Sequence, residues 1–157
     1  MWPQQRQVKP FQRLQRYWLR PGSNVRTAPL SEHAVGALEQ RYGFALPPDF
    51  REYLLRCCPS DDNNLDREGA CWWTLDRIRS VPEEYEYQIK NDRVARAASQ
   101  YLFFADYLIW CWAWAIACGN DEDRGKVVVI NGISDRFVAD SFGQFVDRYI
   151  VDKLSVA

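Results

Sequence analysis

The chain has one histidine, His33, and no pair of cysteines at the CxxC or CxH spacing that holds zinc. Its five cysteines (Cys57, Cys58, Cys71, Cys111 and Cys118) are odd in number. A structural zinc draws on clustered Cys and His, so this pattern predicts no metal and no disulfide framework. Reduced, mostly buried thiols suit a reducing, cytoplasmic compartment. GxSxG, GxGxxG and P-loop motifs are absent; Gly125-Lys126 lacks both the upstream glycine and the following Ser or Thr. His33 has no evident catalytic partner, and no pair of carboxylates stands apart from the acids of turns. The expectation is a protein that is not an enzyme and takes no cofactor.

Long apolar runs are also missing. The longest, from Leu108 to Cys118, is too short to cross a bilayer. Residues 1–30 are basic and polar, without the apolar stretch of a signal peptide. There are no internal repeats and no low-complexity tracts. Acids are absent from residues 1–30, which hold Arg6, Lys9, Arg13, Arg16, Arg20 and Arg26. The remaining residues therefore set fourteen basic side chains against twenty-one acids, a net charge of −7. An acidic body disfavours nucleic acid, because phosphate binding needs Lys and Arg. It favours a basic protein partner through electrostatic steering.

What the chain does have is aromatic mass: 15% of its 157 residues, seven of them Trp. That length fits one domain with a real core, expected to be monomeric, at residues 31–157 behind an N-terminal extension at 1–30. In the extension Phe11, Leu14, Trp18 and Leu19 fall near helical spacing before Pro21-Gly22. That helix either docks on its own domain or anchors to a partner or membrane surface. Helices are predicted at 31–42, 48–57 and 141–150. Ser31 caps the first, Gly43 stops it, and Pro48 opens the second. Ser141 and Gln144 form a capping box for the third, which carries the stripe Phe142, Phe145, Val146, Tyr149 and Ile150. Strands are predicted near 70–73, 101–105, 109–117, 126–131 and 136–139, with a helical turn at 75–79 and a partly helical connection over 82–100.

Strand 109–117 reads as central because both faces are apolar. Trp110, Trp112, Trp114 and Ile116 share one face; Ile109, Cys111 and three alanines share the other. The Trp face is either main core or the floor of an open groove. Asp121, Glu122 and Asp123 sit in the following turn, and Asp106 and Tyr107 follow a buried-looking strand. These eight residues, Asp106, Tyr107, Trp110, Trp112, Trp114, Asp121, Glu122 and Asp123, are the candidate partner contacts, the Trp residues to the extent that they are exposed.

The order of LEQRYGFALPPDFREYLL, CWWTLDRI, YLFFADYL, WCWAWAIA, KVVVI and VADSFGQFVDRYI resembles the SUKH superfamily over about residues 31–152. The resemblance implies an α+β fold, a mostly antiparallel sheet of about four to six strands flanked by helices. Many bacterial members are immunity proteins, and fungal relatives regulate cell-wall synthesis. The implied function is non-enzymatic binding of a protein partner, a cognate toxin whose active site is occluded. The acidic body suits a basic toxin such as a nuclease. The other reading is a regulatory or scaffold module without a toxin.

Overall fold

The computed structural model describes residues 7–62 and 64–157. Helix α1 (Pro10–Trp18) is followed by β1 (Thr27–Ala28), α2 (Glu32–Tyr42), α3 (Pro48–Cys57) and β2 (Cys58–Pro59). Next come β3 (Ala70–Trp72), β4 (Arg79–Ser80), and two short helices, α4 (Val81–Glu84) and α5 (Asp92–Arg96). The chain ends with β5 (Tyr101–Tyr107), β6 (Trp112–Ala117), β7 (Val127–Ile130), β8 (Arg136–Ala139) and α6 (Phe142–Val151), closed by a 3-10 turn over Lys153–Val156.

The caps work locally. Ser31 Oγ accepts from Ala34 N–H at 3.1 Å, and Gly43 ends α2 at φ 76°. Ser141 Oγ accepts from Gln144 N–H at 3.0 Å, while the return bond from Gln144 Oε1 reaches Asp140 N–H, one residue before the cap. Residues 82–100, where apolar spacing is irregular, form α4, α5 and a 3-10 turn rather than one helix.

β3 to β8 form one six-stranded antiparallel sheet in the order β3-β5-β6-β7-β8, with β4 also pairing β5. The fold is α+β. β6 is interior, as its two-sided apolar pattern requires. It begins at Trp112 rather than 109, because Leu108, Ile109 and Trp110 take positive φ (44°, 53° and 65°) and turn the chain. The expected single Trp face is broken there: Trp110 leaves the strand, and Trp112 and Trp114 remain on it.

One face of the sheet is packed by α1, α3 and α6. Trp72, Phe104 and Trp114 point into it and meet Phe50, Tyr53, Phe142, Phe145 and Tyr149. α1 adds Leu14, Tyr17 and Trp18, all buried, with the Trp18 ring 5.2 Å from Trp72. The segment expected as an extension thus contributes a helix to the core. On the opposite face Ala113, Ala115 and Ala117 stay buried beside Phe103, Trp73, Val81 and Val94.

Adjacent Trp72 and Trp73 point to opposite faces, and each indole N–H ends on a buried carboxylate. Trp72 Nε1 donates to Asp66 Oδ2 at 2.9 Å and Trp73 Nε1 to Asp106 Oδ1 at 2.7 Å. Asp66 also accepts from the Tyr149 hydroxyl, from Ala70 N–H at 3.0 Å and from Glu68 N–H at 2.9 Å. Burial, then the charge of Asp66, hold the Tyr149 phenol well above its ordinary pKa, so it stays a donor. The outer edge at β8 is covered: Arg148 donates to Val138 O at 2.6 Å, and Arg136 donates to Ala157 O beside the terminal turn.

Asp66→Ala is expected to destabilise the protein by about 3–5 kcal/mol in urea unfolding, since it strands two buried side-chain donors. Asp62→Ala, on the exposed loop nearby, should stay within about 0.5 kcal/mol.

Burial pushes the thiols of Cys57, Cys58 and Cys118 from 9.0 up to about 12. A thiol harder to ionise when folded gives stability that is complete below pH 9.0 and lost as pH rises toward about 12. Unfolding free energy should therefore fall above pH 9.0. A thiol reagent should label exposed Cys111 first in the native state and all five cysteines in denaturant.

Candidate protein-binding surface

The β5–β6 connection is the least ordinary piece of backbone among the described residues. Tyr107 pairs with Trp112, and the four residues between them make the turn. Three consecutive non-glycine residues stand in the left-handed region, among them a β-branched isoleucine, a conformation that costs roughly 1–2 kcal/mol per residue. One long-range and two local bonds hold it. Leu108 N–H donates to Gly69 O at 3.1 Å, Trp110 N–H to Asp106 Oδ2 at 3.0 Å, and Cys111 N–H to Tyr107 O at 2.9 Å. Gly69, at φ 93°, makes the approach possible: a Cβ there would stand 2.9 Å from Leu108 Cδ2.

Asp106 is the clamp. One oxygen takes the Trp73 indole and the other the Trp110 amide; the Arg77 guanidinium lies 3.5 Å from it and 4.1 Å above the Trp73 ring. Trp110 folds back over this group. Its ring lies edge-on to Phe103 at 5.0 Å, tilted against Trp73 at 6.1 Å, and stacked on Tyr85 at 6.0 Å.

Outward of this base lies an apolar surface. Ile109 is 95% exposed and Leu108 52%. Tyr85 leads to Tyr87, 70% exposed, at 5.4 Å. It also leads to the β7–β8 turn, where its hydroxyl lies 3.0 Å from the position of a Cβ on Gly132 and where Ile133 is 87% exposed. Buried Asp135 ties the pieces together, accepting from Asn131 N–H at 2.9 Å, Gly132 N–H at 3.1 Å and Lys90 N–H at 2.6 Å. Glu86, exposed beside Tyr85, has no charged partner among the described residues.

The eight sequence candidates divide between the two ends of the sheet. Asp106, Tyr107, Trp110 and Trp112 lie at the turn just described; Tyr107 and Trp112 stack at 4.4 Å on the helix-covered side, where Lys153 Nζ lies 5.1 Å from the Tyr107 ring. Trp114 is fully buried, its indole donating to Val156 O at 2.7 Å. Asp121, Glu122 and Asp123 stand at the other end of β6, roughly 20 Å away at about 3.3 Å per residue. Asp123 is buried there, paired with Arg93 and with Lys126 at 3.1 Å. Asp121 accepts from Asp123 N–H at 2.9 Å, and Glu122 lies 3.7 Å from Arg93. Asp121 and Glu122 alone of the three are exposed.

Sequence reasoning did not single out Leu108, Ile109, Tyr85, Tyr87 or Ile133. Ile109 was hidden in an apparent strand, and Leu108 lay in the short connection before it. Among the described residues no group of three or more His, Cys, Asp or Glu side chains is placed to hold a metal, and no helix is long and apolar enough to cross a membrane. Leu108 and Ile109 form an apolar projection, which is the shape of a docking anchor.

A family model described as the SMI1 / KNR4 family (SUKH-1) matches residues 29–148, well over half of the chain, and the protein belongs to that family. No curated protein sequence matches it.

Ile109→Gly should raise unfolding free energy by about 1 kcal/mol, because glycine carries no Cβ penalty at φ 53° and little side-chain burial is lost. Equilibrium urea unfolding of the two proteins checks this.

Proposed function

We propose that this SMI1/KNR4-family domain is an immunity protein that binds a basic protein toxin, such as a nuclease, and occludes its active site. The observation that carries this reading is the pair Leu108 and Ile109, held out into solvent on a backbone clamped by Asp106. Strain kept at an exposed apolar tip is the arrangement expected where a partner buries that tip. Tyr87 and Ile133 widen the anchor. The rest of the surface supplies steering: net charge is −7 over residues 31–157, and Asp121, Glu122 and Glu86 are exposed. Neutralisation requires no chemistry from this chain; a rigid body seated over the toxin's catalytic cleft is sufficient.

The test uses the product of the neighbouring gene, purified with this protein. Ile109→Asp should weaken binding by about 2–4 kcal/mol, with most of the effect in dissociation. Asp121→Asn with Glu122→Gln should slow association and flatten its salt dependence while leaving dissociation nearly unchanged. Asp123 is left intact because it is buried and paired with Arg93. Undiminished binding by the Ile109→Asp variant would remove the tip from the interface. Binding to a partner that has no toxic activity would replace immunity with a regulatory role.

A further inference from the structure

Helix α1 carries an anion-seeking feature at a second place on the molecule. Residues 7–13, with Arg16, Glu52 and Arg56, line a surface groove of about 960 Å³ between α1 and α3. Four cations face one acid. Lys9 Nζ lies 3.8 Å from Glu52, and Arg13 is held by Asp147 at 2.6 Å and by Val8 O at 2.8 Å. Arg16 and Arg56 are both exposed, and neither guanidinium has a partner among the described residues. Val8, Pro10 and Phe11 give the groove apolar wall. Leu14, Tyr17 and Trp18 fix α1 to the core, so the two arginines stand on a rigid base. α1 precedes the family-matched region, which starts at residue 29.

We propose that this groove binds an acidic peptide segment of a protein, one that interleaves carboxylates with apolar side chains. Two planar guanidinium forks on neighbouring helices receive carboxylates in paired hydrogen bonds, and the apolar wall receives the side chains between them. Nucleic acid fits less well, since an extended polyphosphate seeks an unbroken run of cations, whereas this groove sets its cations beside Glu52 and the apolar Val8 and Pro10. A lipid surface fits less well because α1 turns Leu14, Tyr17 and Trp18 inward, and Leu19 is the one large apolar side chain exposed beside it. This inference does not depend on the toxin reading, which uses the β5–β6 tip and a basic partner.

The probe is a fluorescent peptide of alternating glutamate and phenylalanine, read by anisotropy against the full chain and against a chain starting at Gln7. Both chains should bind it, with affinity falling as salt rises. Arg16→Glu with Arg56→Glu should weaken binding by roughly tenfold or more while leaving the melting temperature unchanged, and Arg96→Glu on α5 should not weaken it. A polythymidylate oligonucleotide and anionic phospholipid vesicles should bind more weakly than the peptide. The proposal is overturned by no saturable peptide binding to either chain, by loss of binding in the chain starting at Gln7, by equal binding of the double variant, or by tighter binding of oligonucleotide or vesicles.

Discussion

The Asp66 carboxylate is the point through which the helical layer and the sheet are joined. It lies at the start of the turn into β3, takes the amides of that turn, and receives the Trp72 indole from the sheet and the Tyr149 hydroxyl from α6. A carboxylate out of water is tolerated only when its lone pairs are filled; here two amides and two side chains fill them. Trp72 in turn touches Trp18, Tyr53, Phe104, Phe145 and Tyr149. The apolar core supplies the driving force, but the Asp66 bonds set the register in which α6 meets β3. Close packing of so many rings leaves few alternatives once that register is set.

Asp106 repeats the device on the other face. The same residue type, receiving the neighbouring tryptophan, holds a surface turn instead of a core helix. The two systems are adjacent in sequence through Trp72 and Trp73, so β3 is the element that links core integrity to the shape of the β5–β6 tip. Arg77, over Trp73 and beside Asp106, closes the clamp from solvent.

The helices were legible because their signals are local. Ser31, Gly43, Pro48 and Ser141 act within a turn of where they stand, and the α6 stripe needs only its own spacing. The central position of β6 was legible from apolar residues on both faces. The tip was not, because Leu, Ile and Trp at 108–110 have strand-forming side chains, and what bends them is the carboxylate of Asp106 and the carbonyl of Gly69. No propensity records the bond to Gly69, which folding brings to the turn from far along the chain. Asp66 was passed over for the same reason, although Asp66-Arg67-Glu68-Gly69 is a turn sequence whose first side chain is disposed to bond the amide two residues on. Asp123 shows the reverse error. Its neighbours in sequence made it a candidate partner contact, whereas Arg93, thirty residues away, draws it inside.

α6 and the turn after it follow every strand in the sequence, yet they complete the interior: Tyr149 meets Asp66, and Val156 O receives the Trp114 indole. A chain emerging from the ribosome therefore makes every strand of the sheet while only α1 and α3 are there to cover the helical face. Until those last residues emerge, the Trp114 indole lacks its acceptor, and Trp72 and Phe104 lack Phe145 on one side. During that interval the nascent chain is the kind of sticky, ring-rich intermediate that holding chaperones recognise. Closure of the helical face is thus timed by α6, whose rings no earlier segment replaces.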